Sequence, residues 1–241
     1  MNVEQMFISK QNNTLDRESA NQIFFPNNQF AYEAWREKKL GEQPKSIIDR
    51  LVTIANPLGV SDDEKRQISE LCRISNMAFY KVSSTFEENE FLRFANALGF
   101  EEIDAPIYSE DIGVSIVTKA MCGKKMNYRP YSDKGLGWHT DGYYNPPDRE
   151  IGSFILHCKK EAIVGGETAL LDPEIAYIYL RDENPQYIEA LIRPDVFAVE
   201  ANEEDGVIIR ERRIGPIFSV IKGSLRMRFS ARKKYVKWSA D

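Results

Sequence analysis

The segment Trp-His-Thr-Asp-Gly-Tyr-Tyr-Asn, residues 138–145, decides which fold the rest of the chain can adopt. Side chains on an extended strand alternate between two faces, so His139 and Asp141 point the same way and Thr140 points oppositely. An imidazole and a carboxylate on one face can bind one metal ion. With a second histidine they would form the 2-His-1-carboxylate site, which binds ferrous iron and leaves coordination positions open.

The residues around this pair indicate whether it is a metal site or part of a surface strand. A histidine and an aspartate two residues apart are, by themselves, more typical of a surface strand with a solvated carboxylate. Here Trp138 precedes the pair and Pro146-Pro147 follows it. An apolar stretch and a Gly-Gly turn at residues 165–166 come next. This context favours a metal site.

Further residues in a fixed order and spacing extend the pattern. They are Tyr131, Trp138-His139-Thr140-Asp141, Pro146-Pro147, Leu156-His157-Cys158, Gly165-Gly166-Glu167-Thr168, Asp172 and Asn184-Pro185-Gln186. On these residues the chain resembles the taurine/α-ketoglutarate dioxygenase family of Fe(II)- and 2-oxoglutarate-dependent oxygenases. It is nearer the γ-butyrobetaine-hydroxylase-like branch of that family than the taurine branch. Weaker similarity extends from about Phe79 to about Arg232.

The resemblance implies a reaction and assigns residues to it. The expected enzyme hydroxylates a small molecule and forms succinate and CO2 from 2-oxoglutarate, with Fe(2+) as the metal. His139 and Asp141 would be iron ligands and catalytic residues. Thr168 would donate its hydroxyl to 2-oxoglutarate, which is chemically reasonable because a hydroxyl can donate to a carboxylate oxygen. Without the His-x-Asp pair, residues 165–168 would be interpreted as a hairpin turn with a surface threonine.

Three tyrosines indicate a substrate class. Tyr131 matches an aromatic residue that faces a quaternary ammonium in the γ-butyrobetaine branch, and Tyr143 and Tyr144 directly follow the metal pair. Stacked tyrosines can bind a methylated amine by cation–π attraction of about 0.5 to 2 kcal/mol per ring. Tyrosines beside a cavity can equally be packing residues, and the sequence leaves both interpretations open.

A 2-His-1-carboxylate site needs a second histidine, and with 2 histidines in the chain the one other candidate is His157. A Leu-His-Cys triplet occurs in this branch without binding iron, which makes His157 a structural residue by resemblance. The competing interpretation is a compact, cupin-type metal site made of His139, Asp141 and His157.

The last part of the sequence departs from the family pattern. The family carries its distal iron histidine, and an arginine that pairs with 2-oxoglutarate, on a final hairpin. No histidine follows His157, and the arginines between Arg210 and Arg232 come too early to match that arginine. We therefore expect a jelly roll that is incomplete at the C-terminus and binds iron weakly. The alternative function is a non-catalytic binding protein that has lost the iron centre.

The expected fold is α+β, a double-stranded β-helix (jelly-roll) core with flanking helices. Residues 1–45 are polar and predict an arm or small subdomain, and residues 46–241 predict the oxygenase domain. Capping boxes and apolar spacing predict two helices, and Asp172-Pro173 and Asn184-Pro185 begin two more. The predicted helices are 62–75, one from Thr85 and Glu88 to Gly99, 172–180 and 184–192; the predicted strands are 78–82, 113–119, 151–158, 196–199, 207–209, 217–221 and 225–229.

Composition excludes several other classes. The 241 residues carry a net charge of −5, which gives no basic surface for nucleic acid. Cys72, Cys122 and Cys158 lack metal-ligand spacing and predict reduced thiols. No run of about eighteen apolar residues is present to cross a membrane. We expect a cytoplasmic enzyme for a small-molecule substrate, with no nucleic-acid or membrane partner, and homo-oligomerisation left open.

Overall fold

The computed structural model describes residues 7–8, 23–83, 86–101, 103–104, 114–119, 121, 129–204, 206–233 and 235–239. Helices and strands alternate in the first part of the chain, and strands predominate in the last part. The helices are α1 (Gln29–Gly41), α2 (Asp62–Ser75), α3 (Glu88–Ala97), α4 (Pro173–Glu183) and α5 (Pro185–Leu191). The strands are β1 (Phe7–Ile8), β2 (Leu51–Ile54), β3 (Ala78–Val82), β4 (Phe197–Val199), β5 (Asn202–Glu204), β6 (Val207–Arg210), β7 (Arg213–Gly215), β8 (Phe218–Ile221), β9 (Ser224–Met227) and β10 (Val236–Trp238).

The first core is formed by a small sheet and two helices. The strand order is β1-β3-β2, with β2 parallel and β1 antiparallel to β3. Helices α2 and α3 pack against this sheet through Ile68, Cys72 and Phe94. The capping box predicted at the start of α2 is confirmed, because the Ser61 backbone N–H donates to Glu64 at 2.7 Å and the Ser61 hydroxyl accepts from the Glu64 N–H at 3.3 Å.

The second core joins α4 and α5 to the strands of the C-terminal part. Asp172 caps α4 by accepting from the Glu174 N–H at 2.9 Å, and Pro173 is the first helical residue, as the sequence predicts. Tyr177 of α4, Phe197 of β4 and Phe218 of β8 are almost fully buried together. Both helices therefore direct their apolar residues toward the core that they share with the strands.

The sheets of the C-terminal part are short and separate. One has the order β10-β4-β7, a second pairs β5 with β6, and a third pairs β8 with β9. Lys222 and Gly223 form the turn between β8 and β9, and both have positive φ. Helices and strands are mixed, as an α+β fold requires. No closed barrel joins these sheets within the described ranges, so the predicted jelly roll is not seen as a complete element.

Two predicted strands and one predicted capping box are wrong. Residues 114–119 and 151–158 have no strand, although Ile155 makes an isolated bridge. Alternating apolar residues can predict a strand only where a neighbouring strand is present to pair with it. Helix α3 is capped by Glu87 together with Glu90 and not by Thr85, which lies outside the described residues. Gly113, the first residue of the predicted strand 113–119, also lies outside them.

Helix α1 lies within the predicted N-terminal arm and packs on the second core. Tyr32 is 1% exposed, and Trp35 contacts the ring of Tyr177 with centroids 6.3 Å apart. Phe30 is 84% exposed and does not contribute. Helix α1 therefore shares a core with α4, whereas β1 of the same arm pairs with β3. The division of the chain at residue 45 stays a prediction.

A cluster of buried polar and charged side chains joins α1 to α4. It consists of Lys39, Asn76, Asp172 and Glu174, and we call it the Lys39 cluster. The Lys39 ammonium lies 2.8 Å from Asp172, contacts Glu174 and donates to the Ile74 carbonyl at 2.8 Å. Asn76 ends α2 with φ 54° and donates its side-chain amide to Asp172 at 2.8 Å. Side chains from α1, from the end of α2 and from the start of α4 thus meet at the buried Lys39 ammonium.

Two further expectations from composition can be compared with the structure. Within the described ranges, no helix has both the length and the apolar character needed to cross a membrane. Cys72 is buried and Cys158 half-buried, and neither forms a disulfide bond, as reduced thiols require. Cys122 lies outside the described residues.

Candidate functional site

His139 and Asp141 lie side by side, although the structure gives His139 an isolated bridge and Asp141 a turn instead of the strand on which the prediction rested. His139 Nε2 is 3.6 Å from Asp141 Oδ1. Two ligands of one metal ion, with bonds of about 2.1 Å and angles of about 90° to 120°, lie roughly 3.0 to 3.6 Å apart. The other ring nitrogen, Nδ1, is 2.8 Å from the Gly137 carbonyl oxygen. A carbonyl only accepts, so Nδ1 carries the proton and Nε2 presents its lone pair, as in most metal-binding histidines.

The backbone around His139 is held by a neighbouring extended segment. His139 forms an antiparallel bridge with Ser230. The Thr140 N–H donates to the Phe229 carbonyl at 2.9 Å, and the Ala231 N–H donates to the Trp138 carbonyl at 2.8 Å. The Thr140 side chain, on the opposite face from His139, accepts from the Phe229 N–H at 3.1 Å. The bridge fixes which face of the chain His139 occupies.

A tight turn follows Asp141. Gly142 has φ +63°, and a Cβ there would collide with the Ile151 side chain. The turn closes through the Asn145 N–H, which donates to the Gly142 carbonyl at 2.8 Å. Asn145 is buried and donates its amide to Asp104 at 3.0 Å and to the Arg149 carbonyl at 2.9 Å. The glycine is therefore required by both conformation and space.

Arg228 holds the same turn from the other side. Its guanidinium donates to the Tyr143 carbonyl at 3.1 Å, to Phe197 at 2.7 Å and to Gly215 at 3.0 Å. A fourth hydrogen bond reaches the Pro216 carbonyl at 3.3 Å. Burial lowers the pKa of Arg228 to about 10, with the charge of Arg213 acting in the same direction. Arg228 therefore joins the turn after Asp141 to the second core.

The groups around His139 shift its pKa in opposite directions. The Asp141 carboxylate is the largest influence and raises the pKa of His139, and the Gly137 carbonyl acts in the same direction. Burial and the charge of Arg232 oppose this rise. The carboxylate that would share a metal with the imidazole therefore also stabilises its protonated form in the absence of metal.

The three predicted substrate tyrosines have different surroundings. Tyr131 is buried in a short 3-10 helix, Arg129–Tyr131. Tyr143 is buried in the second core, and its ring meets that of Tyr144 edge-on at 5.0 Å. The guanidinium of Arg210 lies over the Tyr144 ring, 5.0 Å from its centroid. The Tyr143 ring thus packs in the second core, and one face of the Tyr144 ring already contacts a cation.

Thr168 is exposed on a segment without regular secondary structure. Gly165 and Gly166 have φ of +73° and +84°, and Ile163 beside them is fully exposed. The predicted cavity shared by His139, Asp141 and Thr168 stays a prediction. Two clefts of the described structure are lined by other residues: Phe25, Pro26, Asn27 and Glu189 in one, and Lys65, Ile68, Ser69, Cys72, Ala97, Leu98 and Gly99 in the other.

His157 lies in the first core, where its ring contacts aromatic side chains. The ring centroids of Phe86 and Tyr80 are 4.6 and 6.3 Å away. Burial lowers the pKa of His157 to about 4, which keeps the imidazole neutral. No group of three His, Cys, Asp or Glu side chains suited to a metal occurs in the part of the chain that the structure describes. This placement agrees with the structural role and argues against the compact site.

Sequence reasoning missed the residues that support the site from the neighbouring segment. Arg228 and Ser230 lie there, in the run Leu-Arg-Met-Arg-Phe-Ser at residues 225–230. The signal was present, because charged and polar residues alternate with apolar ones at the period of a strand with one polar face. Asp104, which anchors the turn after Asp141, had no such signal in its own neighbourhood.

Comparison with known families adds to this geometry. The family model described as "Taurine catabolism dioxygenase TauD, TfdA family" matches residues 40–235. That range includes His139, Asp141 and Thr168. No solved structure matches the chain. Dioxygenases of this family in general depend on Fe(II) and 2-oxoglutarate, which agrees with an imidazole and a carboxylate that face each other. The chain belongs to the taurine catabolism dioxygenase TauD, TfdA family.

Proposed function

We propose that this chain is an Fe(II)- and 2-oxoglutarate-dependent dioxygenase that hydroxylates a small molecule and releases succinate and CO2. The observation that carries the proposal is the 3.6 Å separation of His139 Nε2 and Asp141 Oδ1, with Nδ1 already hydrogen-bonded to a carbonyl. Family membership supplies the reaction class, and the pair supplies two ligands of the kind that ferrous oxygenases use.

Each residue of the pair has a defined role in this proposal. His139 contributes a neutral nitrogen whose orientation is set by the Gly137 carbonyl, and Asp141 contributes an anionic oxygen. When bound, ferrous iron supplies the capacity to react with dioxygen, which side chains lack. Thr168 would donate its hydroxyl to a carboxylate of 2-oxoglutarate, and its exposure leaves that hydroxyl accessible.

The γ-butyrobetaine-like branch, with a methylated amine as substrate, is the finer part of the proposal. The contact between Arg210 and Tyr144 supports the ability of that ring to attract a cation. Tyr143 supports it less, because the ring is buried in the second core. Tyr131 is as buried as Tyr143, so a methylated amine would depend chiefly on Tyr144.

The test is anaerobic binding of ferrous iron to the 241-residue chain, measured by titration calorimetry, together with succinate release in air. Two protein ligands in the described residues predict weak binding and slow turnover. We expect His139→Ala and Asp141→Asn to weaken iron binding at least tenfold and to abolish succinate release. His157→Gln is the matched histidine control and should change neither quantity. If His157→Gln abolished both while His139→Ala did not, the assignment would be wrong.

A further inference from the structure

The two residues of the metal pair are held in place by different means. The His139 ring is fixed by its hydrogen bond to the Gly137 carbonyl, and its backbone by the bridge to Ser230. The Asp141 side chain is 48% exposed, and the polar partner that the structure gives its carboxylate is the His139 ring at 3.6 Å. The position of the Asp141 carboxylate is therefore set by the backbone of the turn in which it lies.

Asn145 closes that turn and uses every N–H group that it carries. Its backbone N–H donates to the Gly142 carbonyl at 2.8 Å. The two hydrogens of its side-chain amide go to Asp104 at 3.0 Å and to the Arg149 carbonyl at 2.9 Å. Asn145 is 9% exposed, so water has little access to replace these partners.

Asp104 holds Asn145 from a position 41 residues earlier in the chain. Its Oδ2 accepts from the Asn145 amide, and its Oδ1 accepts from Nε of Arg149 at 3.2 Å and contacts Nη2 of the same guanidinium. Since Asn145 also donates to the Arg149 carbonyl, the three residues form a closed set of contacts. The Asn145 amide is thus held from two sides, and Asp104 is the member of the set that lies outside the turn.

The Asn145 amide also packs against the residue that follows Asp141. A Cβ built on Gly142 would lie 3.1 Å from the Asn145 amide nitrogen, so the two residues are in close contact. If the amide lost Asp104, both this contact and the hydrogen bond that closes the turn could open. Partners that orient a metal ligand without touching the metal typically change metal affinity about 10- to 100-fold.

We propose that Asp104 is a positioning residue of the candidate metal site, which acts through Asn145 to hold the turn that presents Asp141 beside His139. This inference rests on the proposed function, because it adds a residue to the support of the same metal pair. Removal of the Asp104 carboxylate should loosen the turn and weaken metal binding, while the bridge that holds His139 stays in place.

The first part of the experiment uses the metal-free chain in EDTA. Hydrogen exchange of the Asn145 backbone N–H is measured by NMR in the wild type and in Asp104→Ala. We expect exchange at least tenfold faster in the variant, because the turn opens locally without its anchor. The Thr140 N–H, which donates to the Phe229 carbonyl at 2.9 Å, is the internal control and should keep its exchange rate.

The second part measures the binding of cobalt(II) by titration calorimetry and by the visible absorption of the bound ion. Asp104→Ala should weaken cobalt binding at least tenfold. Asp104→Asn keeps an oxygen that can accept from Asn145 and loses the charge that pairs with Arg149, so it should retain most of the affinity. Asp148→Ala is the matched control, because it removes an exposed aspartate from the neighbouring 3-10 helix and should change neither quantity.

The expected result is faster exchange at Asn145 together with weaker cobalt binding in Asp104→Ala, and little change in Asp104→Asn. Unchanged cobalt binding in Asp104→Ala overturns the inference, and so does an equal loss in Asp148→Ala. Faster exchange of Thr140 to the same extent as Asn145 indicates a general loss of stability and also overturns it. If the wild type bound no cobalt, the proposed function would be wrong, and exchange at Asn145 would decide by itself whether Asp104 holds the turn.

Discussion

The second core and the segment of residues 129–171 differ in how they are held in place. The second core is regular, and Tyr177 and Phe197 within it are fully buried. The segment 129–171 contains the candidate metal pair, yet its regular structure is limited to two single-turn 3-10 helices, and Ile163 is 100% exposed. Apolar burial stabilises the first region, whereas hydrogen bonds from side chains such as Arg228 hold the second. Tyr143 and Tyr144 of this segment reach into the second core, whereas His139 and Asp141 lie outside it.

This difference predicts that substitutions in the two regions have separate effects. A change in the scaffold should reduce the free energy of unfolding, because it removes burial or a buried partner. A change in the site segment should leave most of that free energy intact and alter ligand binding. The following predictions can sharpen or contradict this separation.

The largest effect is expected at the Lys39 cluster. Lys39→Met leaves the carboxylates of Asp172 and Glu174 buried without their cation, and removing one partner of a buried ion pair costs about 3 to 5 kcal/mol. Burial already raises the pKa of Glu174, so the loss should be smaller at low pH, where this carboxyl can be protonated. Urea denaturation at pH 7 and pH 5 measures both effects.

Lys38→Met is the control for this substitution, because Lys38 is the exposed neighbour on the same helix. Its cost should remain within about 0.5 kcal/mol, as for most surface substitutions. Equal costs for the two lysine variants would contradict a stabilising role of the cluster.

An intermediate effect is expected from the two histidines, since His157 lies against the aromatic rings of the first core and His139 beside Asp141. Burial lowers the pKa of His157 to about 4, below its unfolded value of about 6.5. The unfolded chain therefore binds a proton first, and the wild type loses stability as pH falls from about 6.5 toward about 4. By pH 5 this loss should be on the order of 1 to 2 kcal/mol. His157→Phe should remove it, as measured by urea denaturation in EDTA.

His139 should show the opposite sign, because Asp141 raises its folded pKa. Its contribution to stability is present below the unfolded pKa and is lost as pH rises through the folded pKa. His139→Gln should therefore destabilise the chain more at pH 5 than at pH 8. Identical pH profiles for His139→Gln and His157→Phe would show that the two surroundings do not differ as described.

At Gly142 we expect an effect on stability no larger than that of the histidines. Gly142→Ala places a side chain at φ +63° against Ile151, which costs about 1 to 2 kcal/mol. Because Gly142 directly follows Asp141, we expect metal binding to fall at least tenfold in the same variant. Gly135→Ala is the control, since a Cβ there meets nothing within 4 Å. A Gly142→Ala chain with unchanged metal affinity would mean that the turn does not position Asp141.

The scaffold could be predicted from the sequence because its signals are local. The capping box of Ser61 and Glu64 and the Asp172-Pro173 pair each satisfy backbone groups within a few residues, so the same pattern produces the same helix start in many contexts. The side-by-side placement of His139 and Asp141 agrees with the sequence argument, but it is reached through an isolated bridge and a turn and not through a strand.

The rest depends on partners that are distant in the sequence. The apolar residues of 151–158 predicted a strand, but no neighbouring strand pairs with that segment in the described structure. Lys39 resembled a solvated lysine, because its acidic partners come from another helix. Arg228 acts through the carbonyls of Tyr143 and Phe197, and a backbone carbonyl has no signature in the sequence.

The hydrogen bond from Asn76 to Asp172 also limits how early this part of the fold can form during synthesis of the chain. The two residues are separated by 96 positions along the chain. A ribosome that adds about 5 to 20 residues per second joins Asp172 to the chain roughly 5 to 20 s after Asn76. Isolated helices form in microseconds, so α2 can be complete long before its partner exists. The nascent chain must therefore hold Asn76 and Lys39 in water for seconds, and the rate of translation sets the earliest moment at which they can be buried.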